Sequence, residues 1–168
     1  LFNYAEDLSH TEIKKIEITK NGVFIILGDE EIILKCDPLC TRSAPIEALN
    51  FGQYEYHERT SLLKLLKDRT NNPVILDVGA NVGYYSIFLC KHFPNSKIFA
   101  FEPIPNNFEL LQTNLDLNGC TNVKTFNSGL SNTEGDLSFF VDPSCAVNAS
   151  LKNVANSPNA KKITRPVH

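Results

Sequence analysis

The chain has no methionine, no tryptophan and no long apolar run among its 168 residues. A membrane-spanning helix needs about 20 consecutive apolar residues, so no membrane is expected as a partner. Positive charge is also scarce. Lys and Arg number 16 against 19 Asp and Glu, a net charge of -3, and no Lys/Arg cluster stands along the sequence. The electrostatic footprint of a nucleic-acid binder is therefore missing, and no nucleic acid is expected either. Leu1 to Asp7 lack the basic-then-apolar order of a secretion signal, which makes a cytoplasmic location the expectation. The start at Leu1, the missing methionine and a stop at Val167-His168, just as an apolar alternation resumes, point to a fragment.

Cysteine is present but unpatterned. There are five, an odd number; only Cys36 and Cys40 lie close together, and no second Cys or His pair completes a zinc half-site. No metal site is expected, and the thiols read as reduced, small apolar residues, with Cys90 on a helix. What the chain does have is 42% hydrophobic and 21% charged residues, enough for a packed core in one domain of ordinary size.

The stretch from Val74 to Tyr85 organises the rest. Val74-Ile75-Leu76 run into Asp77, the turn Gly79-Ala80-Asn81-Val82-Gly83 follows, and a helical pattern starts at Tyr84. Glycine lets a backbone approach a ligand that a Cβ would hold off, and the free N–H groups of a helix start favour negative charge. This is a nucleotide cradle. A dinucleotide fingerprint, G-x-G-x-x-G, would need glycine where Asn81 and Tyr84 stand, which disfavours NAD. Asp77-x-Gly79-x-Asn81-x-Gly83 is instead similar to motif I of the class I S-adenosylmethionine-dependent methyltransferases.

Further elements fall around it. Residues 11–37 read as short strands, with a type I′ turn at Asn21-Gly22 and a second turn at Gly28-Asp29-Glu30. Residues 37–52 read as a connector. A helix from Tyr54 places Leu62, Leu63, Leu65 and Leu66 on a core-facing cluster and ends near Asn71-Asn72-Pro73. Tyr54 and Glu55 lie toward the cofactor entrance, Glu55 on a solvated face, and His57 reads as a surface or packing residue. After the helix that Pro94 stops comes the strand Lys97 to Phe101, finishing on Glu102. The interval from Asp77 is one at which a strand-helix-strand unit sets two strand ends side by side. A carboxylate there can take both hydroxyls of a ribose. Pro103-Ile104-Pro105 leaves the strand, with Ile104 against an adenine face. A helix with capping-box form at Asn106-x-x-Glu109 carries Phe108, Leu111 and Leu115 and stops at Asn118-Gly119; Asn107 and Asn114 read as caps. A third strand, Val123 to Asn127, leads to Ser128-Gly129-Leu130 beside the adenine. Gly135 to Val141 reads as another strand and 142–162 as a mobile loop.

Taken together, Asp77 to Tyr85, Phe101 to Phe108 and Gly129-Leu130-Ser131 resemble the FkbM family of methyltransferases over residues 54–141. The resemblance implies an α/β, Rossmann-like class I sheet, S-adenosyl-L-methionine as cofactor, and methylation of a hydroxyl on a sugar or small natural product. The family's later lysine-isoleucine-aspartate-valine-glutamate-glycine type block is absent, so the sheet is expected to be incomplete at the C-terminus. Residues 1–50 form an N-terminal β-meander with connector, and 51–168 the cofactor-binding domain. The cofactor site is expected from Asp77, Gly79, Ala80, Asn81, Gly83, Tyr84, Glu102, Pro103, Ile104, Ser128, Gly129 and Leu130. No residue is assigned as general base. The rivals are an NAD-dependent oxidoreductase and a non-catalytic α/β binding module.

Overall fold

The computed structural model describes residues 6–38, 40, 42–67, 72–142, 145–151 and 159–168, with 145–148 as backbone alone. Strands β1 (Ile13–Thr19), β2 (Gly22–Leu27) and β3 (Ile32–Lys35) form the expected antiparallel meander, in that order. Alternation turns Ile25 and Leu27 inward, opposite Leu34 and Ile32, and all four are at most 1% exposed. The first turn differs from the type I′ expectation. Thr19 pairs with Gly22, so Lys20 and Asn21 make the tip and neither takes a positive φ. Thr19 is the reason: its hydroxyl accepts from the Asn21 N–H at 3.0 Å and donates to the Gly22 carbonyl at 3.4 Å, closing the hairpin one residue early.

The stretch read as a connector contains helix α1 (Ala44–Phe51). Its signals were in the sequence: Pro45 in the first turn and Gly52 just past the end, at φ +75°. Helix α2 (Tyr56–Leu66) follows, with Lys67 at its C-cap; of the expected end at Asn71-Asn72-Pro73, Asn71 lies outside the described residues and Asn72 and Pro73 are not helical. Leu62, Leu63 and Leu66 pack on the core, but Leu65 is 74% exposed, because four leucines within five residues cannot share one helical face.

A parallel sheet in the order β4 (Val74–Val78), β5 (Lys97–Phe101), β6 (Val123–Phe126) makes the centre. Its crossovers are helices α3 (Tyr84–His92) and α4 (Pro105–Leu117). Asp77 pairs with Ala100, and Phe101 with both Val78 and Phe126, so the three carboxyl ends lie side by side. The capping box does not form. Ile104 is the N-cap of α4 and Pro105 its first residue, so the helix begins before Asn106 reaches the cap position. Meander, helix pair and sheet share one core in which Ile25, Leu34, Phe88, Leu111 and Ile98 are all buried.

Strand β7 (Gly135–Asp142) forms as expected, flanked by β8 (Cys145–Ser150) and β9 (Lys161–Val167) in a third, antiparallel sheet. The loop expected over 142–162 is thus strand at both ends; 143–144 and 152–158 lie outside the described residues. Cys36, Cys90 and Cys120 carry free thiols, whereas Cys40, expected to be reduced, is disulfide-bonded. No helix among the described residues is long and apolar enough to cross a membrane.

Asn114, fully buried on α4, ties the layers together. Its carbonyl oxygen accepts the Lys35 N–H of β3 at 2.9 Å, and its amide donates to the Val82 carbonyl in the glycine turn at 2.7 Å. One turn on, Asn118 accepts the Ile33 N–H at 3.0 Å and donates to the Ile33 carbonyl at 2.7 Å. The expected cap role of Asn114 is therefore replaced by a bridge. Asn114→Ala leaves a buried N–H and a buried carbonyl unpaired, and should lower the unfolding free energy by about 2–4 kcal/mol in a denaturant titration. A loss below about 0.5 kcal/mol would count against the bridge.

Candidate active site

The glycine turn is shaped by three left-handed residues: Gly79 at φ +81°, Asn81 at +50° and Gly83 at +91°. Two of its N–H groups, those of Gly79 and Ala80, donate to the Phe101 carbonyl at 2.9 and 3.0 Å, which fastens the turn to the end of β5. A Cβ on Gly83 would stand 2.7 Å from Leu111 Cδ1, so glycine there lets α3 start against α4. A Cβ on Gly79 would meet nothing within 4 Å, and that position faces open space.

Asp77, at the end of β4, takes the Ser86 hydroxyl at 2.5 Å. Burial pushes its carboxyl above the usual range, with Ser86's hydroxyl and backbone opposing. It orients the first turn of α3 and also lines the cavity. Glu102, only 4% exposed, points at the turn. Its Oε2 accepts the Asn81 N–H at 2.9 Å and its Oε1 the Ile104 N–H at 2.8 Å. Burial raises its pKa, opposed by the N–H groups of Ile104 and Asn81 and the side chain of Asn107. With Asn107 as a third donor beside the two N–H groups, one of the four lone pairs of the carboxylate stays open to a further donor.

A cavity of about 330 Å³ lies against the turn. Asp77, Gly79, Ala80, Asn81, Val82 and Tyr84 line it from the sheet side; Arg42, Ala44, Glu47, Tyr54, Glu55 and Tyr85 complete the wall. Of the expected site residues, Asp77, Gly79, Ala80, Asn81 and Tyr84 are thus together in one wall. Gly83 is buried behind it. Glu102, Pro103 and Ile104 stand next to it through the Glu102–Asn81 bond, without lining the cavity itself. Ser128, Gly129 and Leu130 sit at the end of β6, away from that wall. Gly129 is engaged by β9, its N–H on the Pro166 carbonyl and its carbonyl under the His168 N–H. Leu130 is 38% exposed, and the buried Ser128 hydroxyl has no partner among the described residues.

Tyr54 and Glu55 line the cavity as their placement toward the entrance implied, whereas Arg42, Glu47 and Tyr85 were not among the expected residues. Arg42 and Glu47 belong to the unforeseen α1 segment; Glu55, exposed as expected, accepts the Tyr85 hydroxyl at 2.5 Å. The donor set fits an adenosyl amino acid. A carboxylate with one spare lone pair stands at the neighbouring strand end, the Gly79 position faces open space, and Asn81 Oδ1 and Ser128 Oγ are buried polar atoms without partners among the described residues.

A strand-turn-helix with this glycine spacing, set beside a strand-end acid on a parallel sheet, defines an S-adenosylmethionine-dependent methyltransferase domain of class I. The TRM5/TYW2 methyltransferase domain matches residues 42–152, and the chain belongs to that family. Methyltransferase sdnD of Sordaria araneosa is 39% identical over 82 residues, covering 48% of this chain and 32% of that one. The hexuronic acid methyltransferase AglP of Haloferax volcanii is 32% identical over 107 residues, covering 64% and 43%. The chain thus spans a third to two fifths of the length of these curated relatives. Among solved structures, wild-type Trm5b from Pyrococcus abyssi has a TM-score of 0.44 at 20% identity, covering 72% of this chain and 40% of that one. M. jannaschii TYW2 in complex with AdoMet has 0.38 at 20% identity, covering 69% and 43%. Such scores add nothing to the family assignment.

The two glycines make different demands, which orders two substitutions. Gly83→Ala incurs both a left-handed alanine and a clash with Leu111 and should cost about 2–4 kcal/mol, whereas Gly79→Ala incurs only the backbone term, about 1–2 kcal/mol. Denaturant midpoints test this; an equal or reversed order would contradict the packing of α3 on α4.

Proposed function

We propose that the chain is the cofactor-binding part of an O-methyltransferase of FkbM type, acting on a hydroxyl of a sugar or small natural product. In this reading the glycine turn from Gly79 to Gly83 holds the amino-acid end of S-adenosylmethionine and Glu102 its ribose. Ile104 and Ser128 to Leu130 lie toward the adenine. Residues 1–50 are an accessory layer on the cofactor-binding part, 51–168. Bound there, S-adenosylmethionine supplies a methyl group on a sulfonium, an electrophile whose transfer needs alignment and exclusion of water more than acid-base help. The chain's own part is to orient and enclose. The observation that carries the reading is the aim of Glu102: a buried carboxylate fixed on the glycine turn by the Asn81 N–H, with acceptor capacity to spare.

The FkbM assignment goes beyond the TRM5/TYW2 family and is supported by the three sequence blocks, while a hexuronic acid methyltransferase among the relatives supports a sugar as acceptor. The net charge of -3 favours a non-nucleic-acid acceptor. A cytoplasmic location belongs to the same reading, and the Cys40 disulfide is the observation that opposes it.

Calorimetric titration with S-adenosylmethionine should show binding that Glu102→Ala weakens by at least about 30-fold, the loss of a charged hydrogen-bonding partner. Equal binding by both proteins would remove the ribose assignment. Acid adds an independent reading. Ribose hydroxyls donate to the ionised carboxylate, and burial holds its pKa above the ordinary range. Affinity should therefore be full above that raised pKa and fall as pH drops through it, before exposed glutamates titrate.

A further inference from the structure

We propose that a second cavity, between the meander and α2, is a saccharide subsite: the Glu12–Arg59 pair takes a neutral ring hydroxyl there and Tyr56 packs on the sugar's C–H face. This rests on the acceptor reading above, to which it adds a place for a sugar unit outside the cofactor cavity. The second cavity measures about 270 Å³, at the small end of ligand sites and suited to one sugar ring rather than a nucleoside. Among the described residues its wall shares no member with that of the cofactor cavity. Arg59 links the two, its guanidinium carbon 5.9 Å from the ring centre of Tyr84 in one wall and 5.8 Å from that of Phe88 in the other.

Two orphaned atoms point to a ligand. Arg59 is 6% exposed and its Nη2 donates to Oε1 of Glu12, yet Arg59 Nε and Glu12 Oε2 are buried with no hydrogen-bond partner among the described residues. An arginine and a carboxylate commonly close as a fork with two parallel bonds. Here one bond is made, so a second donor and a second acceptor stay open in the same pair. Leaving both unmet is costly, and folded proteins rarely do so. Glu12 is also fixed in place by its backbone, its N–H on the Gly52 carbonyl at 2.7 Å and its carbonyl under the Gly28 N–H at 2.8 Å.

The charges around the pair decide the class of ligand. Besides Glu12 and Arg59 the wall carries Lys14 and Asp29, paired at 2.9 Å, and Glu30, held by the His92 ring at 2.8 Å. Each charged group described in the wall thus has its partner, and a charged ligand finds nothing to neutralise. A carboxylate or phosphate would meet Glu12, and an ammonium would meet Arg59. A hydroxyl both accepts and donates, so one such group satisfies Nε and Oε2 together.

Beside the pair the wall turns apolar. Tyr56, 47% exposed, has its ring centre 5.8 Å from the Arg59 guanidinium carbon, and Leu63 and the buried Phe88 continue the surface. A pyranose is divided in the same way, with hydroxyls around its rim and C–H bonds on its faces, and the negative face of an aromatic ring attracts the latter. A planar amide would answer the pair but brings no such face for Tyr56.

The test is an amide-resonance NMR titration of the isotope-labelled chain with the methyl glycosides of glucose, galactose and mannose. Expected are shifts centred on Glu12, Gly28 and Thr60 with at least one of the three, at an affinity of about 1 mM. Arg59→Lys keeps a cation for Glu12 and removes the Nε donor, and should weaken that glycoside about ten-fold. Tyr56→Ala, at the rim, should weaken it about five-fold, and supplies the reading if Arg59→Lys does not fold. Absence of shifts with all three glycosides, shifts confined to Gly79–Gly83, equal shifts with acetamide, or an affinity that neither substitution lowers overturns the inference. S-adenosylmethionine, titrated separately, reads on the glycine turn, so the cofactor reading survives any of these results. A glycoside bound by a chain that does not bind S-adenosylmethionine leaves the subsite standing and removes the methyltransfer reading instead.

Discussion

A single buried carboxylate holds the site in shape. Glu102 accepts one N–H from the glycine turn and one from the start of α4, so its two oxygens join segments that no strand pairing connects. Burying a charge is costly unless hydrogen bonds replace the lost water, and here two backbone dipoles and Asn107 do so. Three of its four lone pairs are thereby occupied, so the residue that fastens the turn keeps one acceptor position.

The turn is steadied from the opposite side by an amide. Strand β3 is the edge of the meander, and an edge strand normally presents unpaired backbone groups to water or to other chains. Here Asn114 and Asn118, one helical turn apart on α4, occupy the N–H groups of Lys35 and Ile33 and the Ile33 carbonyl. Helix side chains thus stand in for a missing fourth strand. Because the Asn114 amide also reaches the Val82 carbonyl, the outer layer is coupled to the turn through one side chain. The meander is part of what positions the cradle.

The strand-turn-helix at Val74 to Tyr85 and the acid at the next strand end were legible because their signals are local. A short apolar run, glycines at set positions and a helix of 3.6 period each need only a few neighbours in sequence. Helix α1 was legible too, in Pro45 and Gly52, but the absence of a clear apolar period obscured it. What could not be read depends on distant partners. The hairpin register turned on the hydroxyl of Thr19, the exposure of Leu65 on which face α2 turns to the core, and the state of Cys40 on a bond no spacing announced. A continuous apolar run suits a strand buried on both faces, yet in β4 Val74, Leu76 and Val78 are 58–65% exposed. Periodicity reports what a strand can bury; only the surrounding chain decides what it does bury.

The three strand ends show how these levels combine. Each is finished by a polar side chain that fixes the loop beyond it: Asp77 holds Ser86, Glu102 holds Asn81 and Ile104, and Asn127 donates to the Glu102 carbonyl at 2.9 Å. Arg165, far along on β9, closes the set. Its guanidinium donates to the Pro103 carbonyl at 2.7 Å and to the Asn127 side chain. A planar fork of donors suits this position, since strand carboxyl ends present carbonyls that a flexible ammonium would hold less firmly. The first two anchors were visible from sequence as candidate ligands, because an acid at a strand end is chemically conspicuous. The third was not, since Asn127 and Arg165 are brought together only by the sheet of β7 and β9. A crevice with walls held this way meets a ligand with little ordering left to do, and that preorganisation leaves more of the contact energy for affinity.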